Sequence, residues 1–380
     1  MCKELTVVGG GLAGTEAAWQ AANKGVKVRL YEMRPKISTG AHTGSSLAEL
    51  VCSNSLGSNL ADRASGVLKD EMRTLGSLLI ECADSNAVPA GNALAVDREA
   101  FANMVTNKIE NHPNIEVIRL EKKVIPSGPT VIASGPLSSE SICNSLASLL
   151  GTDHLYFYDA ISPIVYADTI DMTVAFEASR YQKDNGSNGD YINCPMNEDQ
   201  YSKFVSALLK ADRIPLRDFE KDIESGVRAG AHRFFEGCLP IEILAERGQD
   251  SLAYGPMRPV GIFSPYDDKR PCAVVQLRRD NLAGTLYNIV GFQTNLKWPE
   301  QKEVLRMIPG LGQARFARYG MMHRNTFLNA PNVLSESLQS RVRPDLFFAG
   351  QITGVEGYCL LYTSDAADEG LGVDLGGRRI

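Results

Sequence analysis

The chain has 380 residues, 44% hydrophobic and 22% charged, the make-up of a folded globular protein with room for two or three domains. Its formal charge of −6 excludes a general attraction to nucleic acid, so any RNA contact must come from a local basic patch. No apolar run approaches membrane-spanning length, no signal peptide precedes the first strand, and the eight cysteines form no C-x-x-C pair. These features argue against a membrane segment, a zinc site and a disulfide scaffold, and predict a reducing cytoplasm as the setting.

Leu5–Val8 reads as a short buried strand running into Gly9, Gly11 and Gly14. An Ala-rich helix follows over Gly14–Lys24, with Gly25 as its stop. This is the G-x-G-x-x-G turn of a dinucleotide-binding βαβ unit. Gly9 is predicted to make the tight turn, Gly11 to let the backbone approach a pyrophosphate, and Gly14 to let the helix lie close on the sheet. The helix N-terminus then offers N–H groups and a positive dipole end to phosphate. Val26–Glu32 reads as the second strand. Glu32 lies eighteen positions past Gly14, the usual place for a carboxylate that binds a ribose hydroxyl. The motif by itself does not separate FAD from NAD.

Met33–Gly44, with His42, lacks apolar periodicity and reads as a loop over the nucleotide. Leu47–Val51 is a helical turn or a short strand, and the Ser- and Asn-rich stretch after Cys52 favours turns. Cys52 therefore sits at a junction, equally readable as a buried structural thiol or a reactive one. Val67–Leu79 has the spacing of one helix. Val88–Val96 is a glycine-containing loop entering a strand, and Asp97 is placed to cap a helix over Arg98–Glu110. Ile115–Leu120 and Thr130–Gly135 read as strands, the latter returning beside the first βαβ unit.

From about Gly151 to Pro309 aromatic residues concentrate and segments alternate like antiparallel strands, as in Pro271–Leu277 and Thr285–Phe292. Helical pieces lie at Glu198–Ala211 and Glu242–Arg247, and Asp184–Asp190 is a flexible loop. The basic residues of this region are interspersed with acids and read as a solvated surface rather than an RNA track. Cys238 lies between Gly237 and Leu239-Pro240, which enforce an irregular backbone. Leu346–Ala349 is a last buried strand ending in Gly350 and Gly354, where the backbone can approach a flavin or a ribityl phosphate. The fold class is thus α/β, a Rossmann-like FAD-binding domain with an inserted α+β domain. The predicted boundaries are 1–150 plus 320–358 for the discontinuous FAD-binding domain and 151–319 for the insert.

Several of these segments together resemble one family, the folate- and FAD-dependent tRNA (uracil-5-)-methyltransferases. They are Val7–Trp19, Tyr31–Pro35, Glu49–Leu56, Val88–Gly91, Leu94–Arg98, Phe235–Glu242, Tyr287–Trp298, Met322–Phe327 and Phe347–Tyr358. The resemblance covers nearly all of residues 4–358. It implies FAD as cofactor, methylenetetrahydrofolate as one-carbon donor, NADH or NADPH as reductant and tRNA as partner. The implied reaction carries a one-carbon unit, by way of reduced FAD, to C5 of the T-loop uridine at position 54, giving ribothymidine. Cofactor contacts are implied at Gly9, Gly10, Gly11, Leu12, Ala13, Gly14, Glu32, Arg34, Asp97, Arg98, Gly135, Gly350, Gln351 and Gly354. Uracil C5 is a poor nucleophile until a thiolate adds at C6, so Cys52 is expected to attack the pyrimidine, with Cys238 as a second reactive thiol. No metal is expected. Two other readings are a sister flavoprotein that modifies the wobble uridine of tRNA and a truncated, non-catalytic FAD-binding remnant.

The sequence departs from the family pattern at Gly57, where the family usually has Arg, so that a phosphate or folate contact is either missing or supplied by Arg63. A second departure is a length variation over Asp222–His232. From Cys359 onward the chain resembles a translated sequencing adapter, and residues 359–380 are expected not to be native.

Overall fold

The computed structural model describes residues 4–151, 155–180, 189–214, 239–266 and 270–355. Cys238, most of the Asp184–Asp190 loop, the Asp222–His232 variation and residues 359–380 lie outside them. The chain forms two compact units. One holds the residues up to Ala87, Asn92–Tyr156 and Arg324 onward, and the other holds Val88–Gly91 and Phe157–His323.

The first unit opens with β1 (Glu4–Val8), α1 (Leu12–Asn23) and β2 (Lys27–Glu32). Gly25, at φ +83°, ends α1 as its position after the helix predicts. Next come β3 (Ser55–Ser58), α2 (Ala64–Thr74), α3 (Leu78–Ser85), the short β4 (Ala87–Val88), β5 (Ala93–Val96), α4 (Arg98–Glu110), β6 (Ile115–Arg119), β7 (Thr130–Ile132) and α5 (Glu140–Leu150).

Two local expectations fail here. The stretch read as one helix over Val67–Leu79 is two, α2 and α3. Gly76 adopts φ +72°, and the Ser77 side chain caps α3 by accepting the Ile80 N–H. The Glu16 carboxylate of α1 receives the Ser77 hydroxyl and the Leu78 and Leu79 N–H groups. A buried carboxylate at a helix start satisfies donors that a continuous helix would have used internally. The stretch after Cys52 also does more than turn, because Ser55–Ser58 pairs antiparallel with β5. Cross-strand pairing overrides the local turn preference there. Gly57 bends that strand at φ +82°, a conformation costly for any residue with a side chain.

The chain crosses between units within β8 (Leu155–Ala160) and returns after His323. The second unit holds β9 (Ile164–Tyr166), β10 (Phe176–Ala178), β11 (Tyr191–Met196), α6 (Glu198–Lys210), α7 (Ile241–Glu246), α8 (Ser251–Tyr254), β12 (Ala273–Arg279), β13 (Leu286–Ile289), α9 (Trp298–Leu305) and β14 (Phe316–Arg318). Its strands form a six-stranded sheet in the order β10-β11-β12-β13-β9-β14. Every pair is antiparallel. Val275 and Leu277 alternate inward from β12 and join Tyr201, Phe204 and Leu208 of α6 in one core. Asn197 and Gln200 begin α6 with a reciprocal capping box.

The chain returns to the first unit through β15 (Met322–Phe327), α10 (Ala330–Val333) and β16 (Leu346–Phe348). The main sheet of that unit has the order β16-β7-β1-β2-β6 and is parallel throughout. Alternation along β1 sends Val7 into the core beneath α1, α3 and α4, and Val8 into the core formed with α5 and β16. Both faces of the sheet are therefore covered, as a parallel sheet requires. The connections leave β1 toward β2 on one side and β7 lies on the other. The carboxyl ends of β1 and β7 thus flank a topological switch point, where open α/β sheets bind ligands.

Candidate cofactor-binding cleft

A cleft opens at that switch point. Its walls include Gly9–Ala13, Glu32, Arg34, His42, Glu49, Val51, Glu121–Lys122, Ala133–Ser139 and Ala349–Gln351. The two loops after β7 and β16 turn away at Gly135 (φ +68°) and Gly350 (φ +77°).

The glycine turn divides its work by space. A Cβ on Gly9 would lie 2.4 Å from the Ala133 carbonyl oxygen, and one on Gly14 would lie 1.8 Å from the Gly9 oxygen. Both glycines hold backbone against backbone. Gly10 is pressed between Leu47 and Glu32, where a Cβ would come within 2.6 Å of the leucine Cδ2. A Cβ on Gly11 would meet nothing within 4 Å, so that position faces open space. Gly11 is also the N-cap of α1 and has no side-chain hydrogen bond to the helix, whereas side chains cap α3, α4, α5 and α6. An uncapped helix N-terminus lining a cleft is an anion site by its dipole and its N–H groups.

Glu32 ends β2 beside this turn. Its Oε2 accepts the Gly10 N–H at 2.9 Å, and its Oε1 accepts the Arg34 N–H and Nε, each at 3.0 Å. A carboxylate has about four acceptor positions, so these bonds leave one on Oε2. Burial pushes the Glu32 carboxyl up, but Arg34 and the backbone N–H groups outweigh it and hold the group below its ordinary value. Arg34 also reaches Glu49 at 2.7 Å, and Glu49 ties down the loop by accepting the Thr43 N–H and hydroxyl. His42 lies in this network with Nδ1 2.6 Å from the Thr39 hydroxyl. Burial first, and the Arg34 charge second, lower its pKa to about 4, so the ring is neutral at pH 7.

Ten of the sequence-predicted contacts therefore share the cleft: Gly9, Gly10, Gly11, Leu12, Ala13, Glu32, Arg34, Gly135, Gly350 and Gln351. The others take different places. Gly14 packs the helix against the turn. Asp97 caps α4 by accepting the Ala100 N–H. Arg98 donates to the carbonyls of Leu50 and Cys52, at 2.6 and 3.1 Å, which pins the Cys52 loop. Gly354, at φ +86°, ends the turn after β16 and lies against Phe327. Arg63 is exposed beside Asp62 and lines no part of the cleft. His42 lies in the loop that the sequence places over the nucleotide, whereas Glu49 joins the site from the irregular segment after it, where no sequence signal marked it.

Cys52 is half-buried, one residue beyond Val51 of the cleft wall. Leu47–Val51 is neither helix nor strand. It is an irregular turn with Ala48 at φ +51°, held by the Ala48 N–H on the Gly10 carbonyl at 2.9 Å. Cys82 and Cys194 differ from Cys52 in being fully buried, and burial pushes both thiols up to about 12. No group of three or more metal-ligating side chains occurs among the described residues.

Open space beside Gly11, an uncapped helix start and a carboxylate with one acceptor position left are together what a dinucleotide pyrophosphate and ribose require. Comparison with known proteins agrees. The family model for glucose inhibited division protein A, GidA, matches residues 4–367. Two structures of Aquifex aeolicus GidA superpose with TM-scores of 0.67 and 0.65 at 17% and 16% identity, over 95% and 94% of this chain. The chain spans 64% and 61% of those GidA chains, and the likeness establishes the flavoprotein fold. Closer in sequence are proteins named methylenetetrahydrofolate--tRNA-(uracil-5-)-methyltransferase TrmFO. That of Bacillus licheniformis is 56% identical over 94% of this chain and 80% of its own length. That of Heliobacterium modesticaldum is 54% identical over 93% and 78%. The chain belongs to the GidA family and, within it, to the TrmFO enzymes.

Proposed function

We propose that the chain is an FAD-dependent enzyme that transfers a one-carbon unit from methylenetetrahydrofolate to C5 of uridine 54 in the T-loop of tRNA. The observation that carries this reading is identity of 56% across 94% of the chain to proteins named for that folate- and tRNA-dependent methylation. The glycine turn and Glu32 support FAD as the cofactor, bound with its pyrophosphate at the start of α1 and a ribose hydroxyl on Glu32. When bound, FAD supplies redox chemistry, with NADH or NADPH as the reductant in this reading. Cytoplasmic tRNA is the substrate.

The chain's own chemistry rests on thiols. In this reading the Cys52 thiolate adds to C6 of the uracil, and the electron pair released to C5 makes that carbon the nucleophile toward the one-carbon unit. Loss of the C5 proton then expels the thiolate and restores the pyrimidine, the carbon's bond to its donor nitrogen breaks with the pair left on that nitrogen, and the two electrons that take methylene to methyl would come from NADH or NADPH by way of FAD. Cys238 is the second reactive thiol. Arg98 holds the Cys52 carbonyl and so positions the loop. The target base is stacked within folded RNA and has to be extruded before the thiol reaches it.

The test is transfer of labelled methylene carbon from folate to unmodified tRNA, with Cys52→Ala and Cys238→Ala as controls. The label is expected at C5 of uridine 54, with each alanine variant abolishing it. Label at the wobble uridine instead, or none in RNA, overturns the reaction. Label that survives both substitutions overturns the thiol roles.

A further inference from the structure

Within the second unit, three aromatic rings stand in one column. Phe316 and Tyr319 stack with centroids 5.1 Å apart and planes 24° apart, and Tyr319 and Trp298 stack at 5.9 Å and 17°. Trp298, at the end of the column, is 53% exposed. The column is built rather than incidental. Gln301, fully buried, donates to the carbonyls of Leu296 and Gly320 and accepts the Gly320 N–H. It therefore locks the residues that precede Trp298 and follow Tyr319 to one another. Arg315, the residue before edge strand β14, places its guanidinium 4.9 Å from the centre of the Tyr166 ring, and Tyr166 is itself 38% exposed.

The segment that carries the column has an excess of basic residues. Lys297–Tyr319 contains Lys297, Lys302, Arg306, Arg315 and Arg318 against Glu300 and Glu303, in a chain whose overall charge is negative. Lys297 pairs with Asp212 and Arg315 with Asp168. Both pairs are exposed, where an ion pair contributes little and a phosphate can compete for the cation. Arg306 spends its guanidinium on the neutral Ala314 carbonyl. Near-parallel rings with a half-exposed end member, and basic residues in the same segment, suit an unstacked base and its phosphates. A protein surface would instead demand a broader apolar patch without the excess of like charge.

We propose that Trp298, backed by Tyr319 and Phe316, is a stacking platform for an unpaired base of the substrate tRNA, with Arg315 and Lys302 on the flanking phosphates. The proposal rests on the tRNA-modifying reading given above and adds where the RNA is held.

The experiment uses the full chain and unmodified tRNA transcript. Only Trp19 and Trp298 are tryptophans, so a Trp19→Phe variant makes Trp298 the sole reporter. Saturable quenching of its fluorescence on titration with tRNA is expected. Trp298→Ala is expected to weaken tRNA binding roughly 5- to 150-fold, from a stacking contribution of about 1–3 kcal/mol. Trp298→Phe, which keeps a ring, is expected to restore most of the affinity, and Arg315→Ala to lower the salt dependence of binding. tRNA that binds without quenching Trp298, and equally well to Trp298→Ala, overturns the platform while leaving the tRNA reading intact. A wild-type chain that binds no tRNA overturns both. A Trp298→Ala effect on self-association in place of RNA affinity makes the column a subunit interface and likewise overturns it.

Discussion

Replacing Gly14 and Gly11 one at a time separates folding from cofactor binding within a single turn. In Gly14→Ala the new methyl lies 1.8 Å from the Gly9 carbonyl oxygen and 3.4 Å from the Ala133 Cβ. The nearest atom is backbone, so relief requires α1 to back away from β1. Overpacking of this kind costs about 1–3 kcal/mol, and a backbone clash belongs at the top of that range. Alanine returns about 1 kcal/mol of helix propensity relative to glycine, which leaves a net loss of ~2 kcal/mol. Gly11→Ala is different. Gly11 sits at φ −76° and ψ −167°, open to any residue, and its Cβ has no neighbour within 4 Å. Losing glycine at an N-cap costs at most about 1 kcal/mol, but the methyl now stands where a pyrophosphate would approach. Urea unfolding of each variant without FAD, followed by circular dichroism, reports the first quantity. Titration with FAD, followed by flavin fluorescence, reports the second. Gly14→Ala should unfold at lower urea, whereas Gly11→Ala should keep most of its stability and lose FAD affinity by at least ~10-fold, or ~1.4 kcal/mol. Wild-type FAD affinity in Gly11→Ala, or wild-type stability in Gly14→Ala, would refute the division of roles.

Three further outcomes follow from the same unit. Glu32→Gln weakens the hold on Arg34, whose side chain is 3% exposed, and should destabilise the protein by about 3 kcal/mol, the low end for a broken buried pair because Glu49 still neutralises Arg34; an unchanged urea midpoint would contradict the network. His42 takes up its proton only near pH 4 when folded but near 6.5 when unfolded. The unfolded chain therefore binds more protons between those values, and stability should fall by as much as ~3 kcal/mol as pH drops through that window. His42→Gln should flatten the slope there; the lowered Glu32 and Glu49 act only as pH falls below about 4.5, and a slope unaltered by the substitution would count against His42. Asn325 is fully buried, and neither side-chain polar atom has a hydrogen-bond partner among the described residues. Because an unsatisfied buried amide is a cost, Asn325→Leu should leave thermal stability unchanged or raise it, and a loss above about 1 kcal/mol would show that the amide is satisfied in solution.

The sequence by itself determined the glycine turn, the acid at the end of β2, the cap at Asp97 and the parallel strands around them. Each depends on interactions a few residues apart, or on a periodicity that a short window contains. α4 spans Arg98–Glu110 as its cap and spacing predict. Only the tertiary structure decided the break between α2 and α3, since Glu16 comes from a helix more than sixty positions earlier. The same holds for the strand after Cys52, whose partner is β5, and for Glu49, which is tied to the cleft by its pair with Arg34. Asp97 and Arg98, implied as cofactor contacts by the resemblance alone, lie outside the cleft with side chains that cap a helix and hold the Cys52 loop. Local preference and short spacing are written in the sequence, whereas pairing between distant segments depends on which surfaces the folded core leaves in contact.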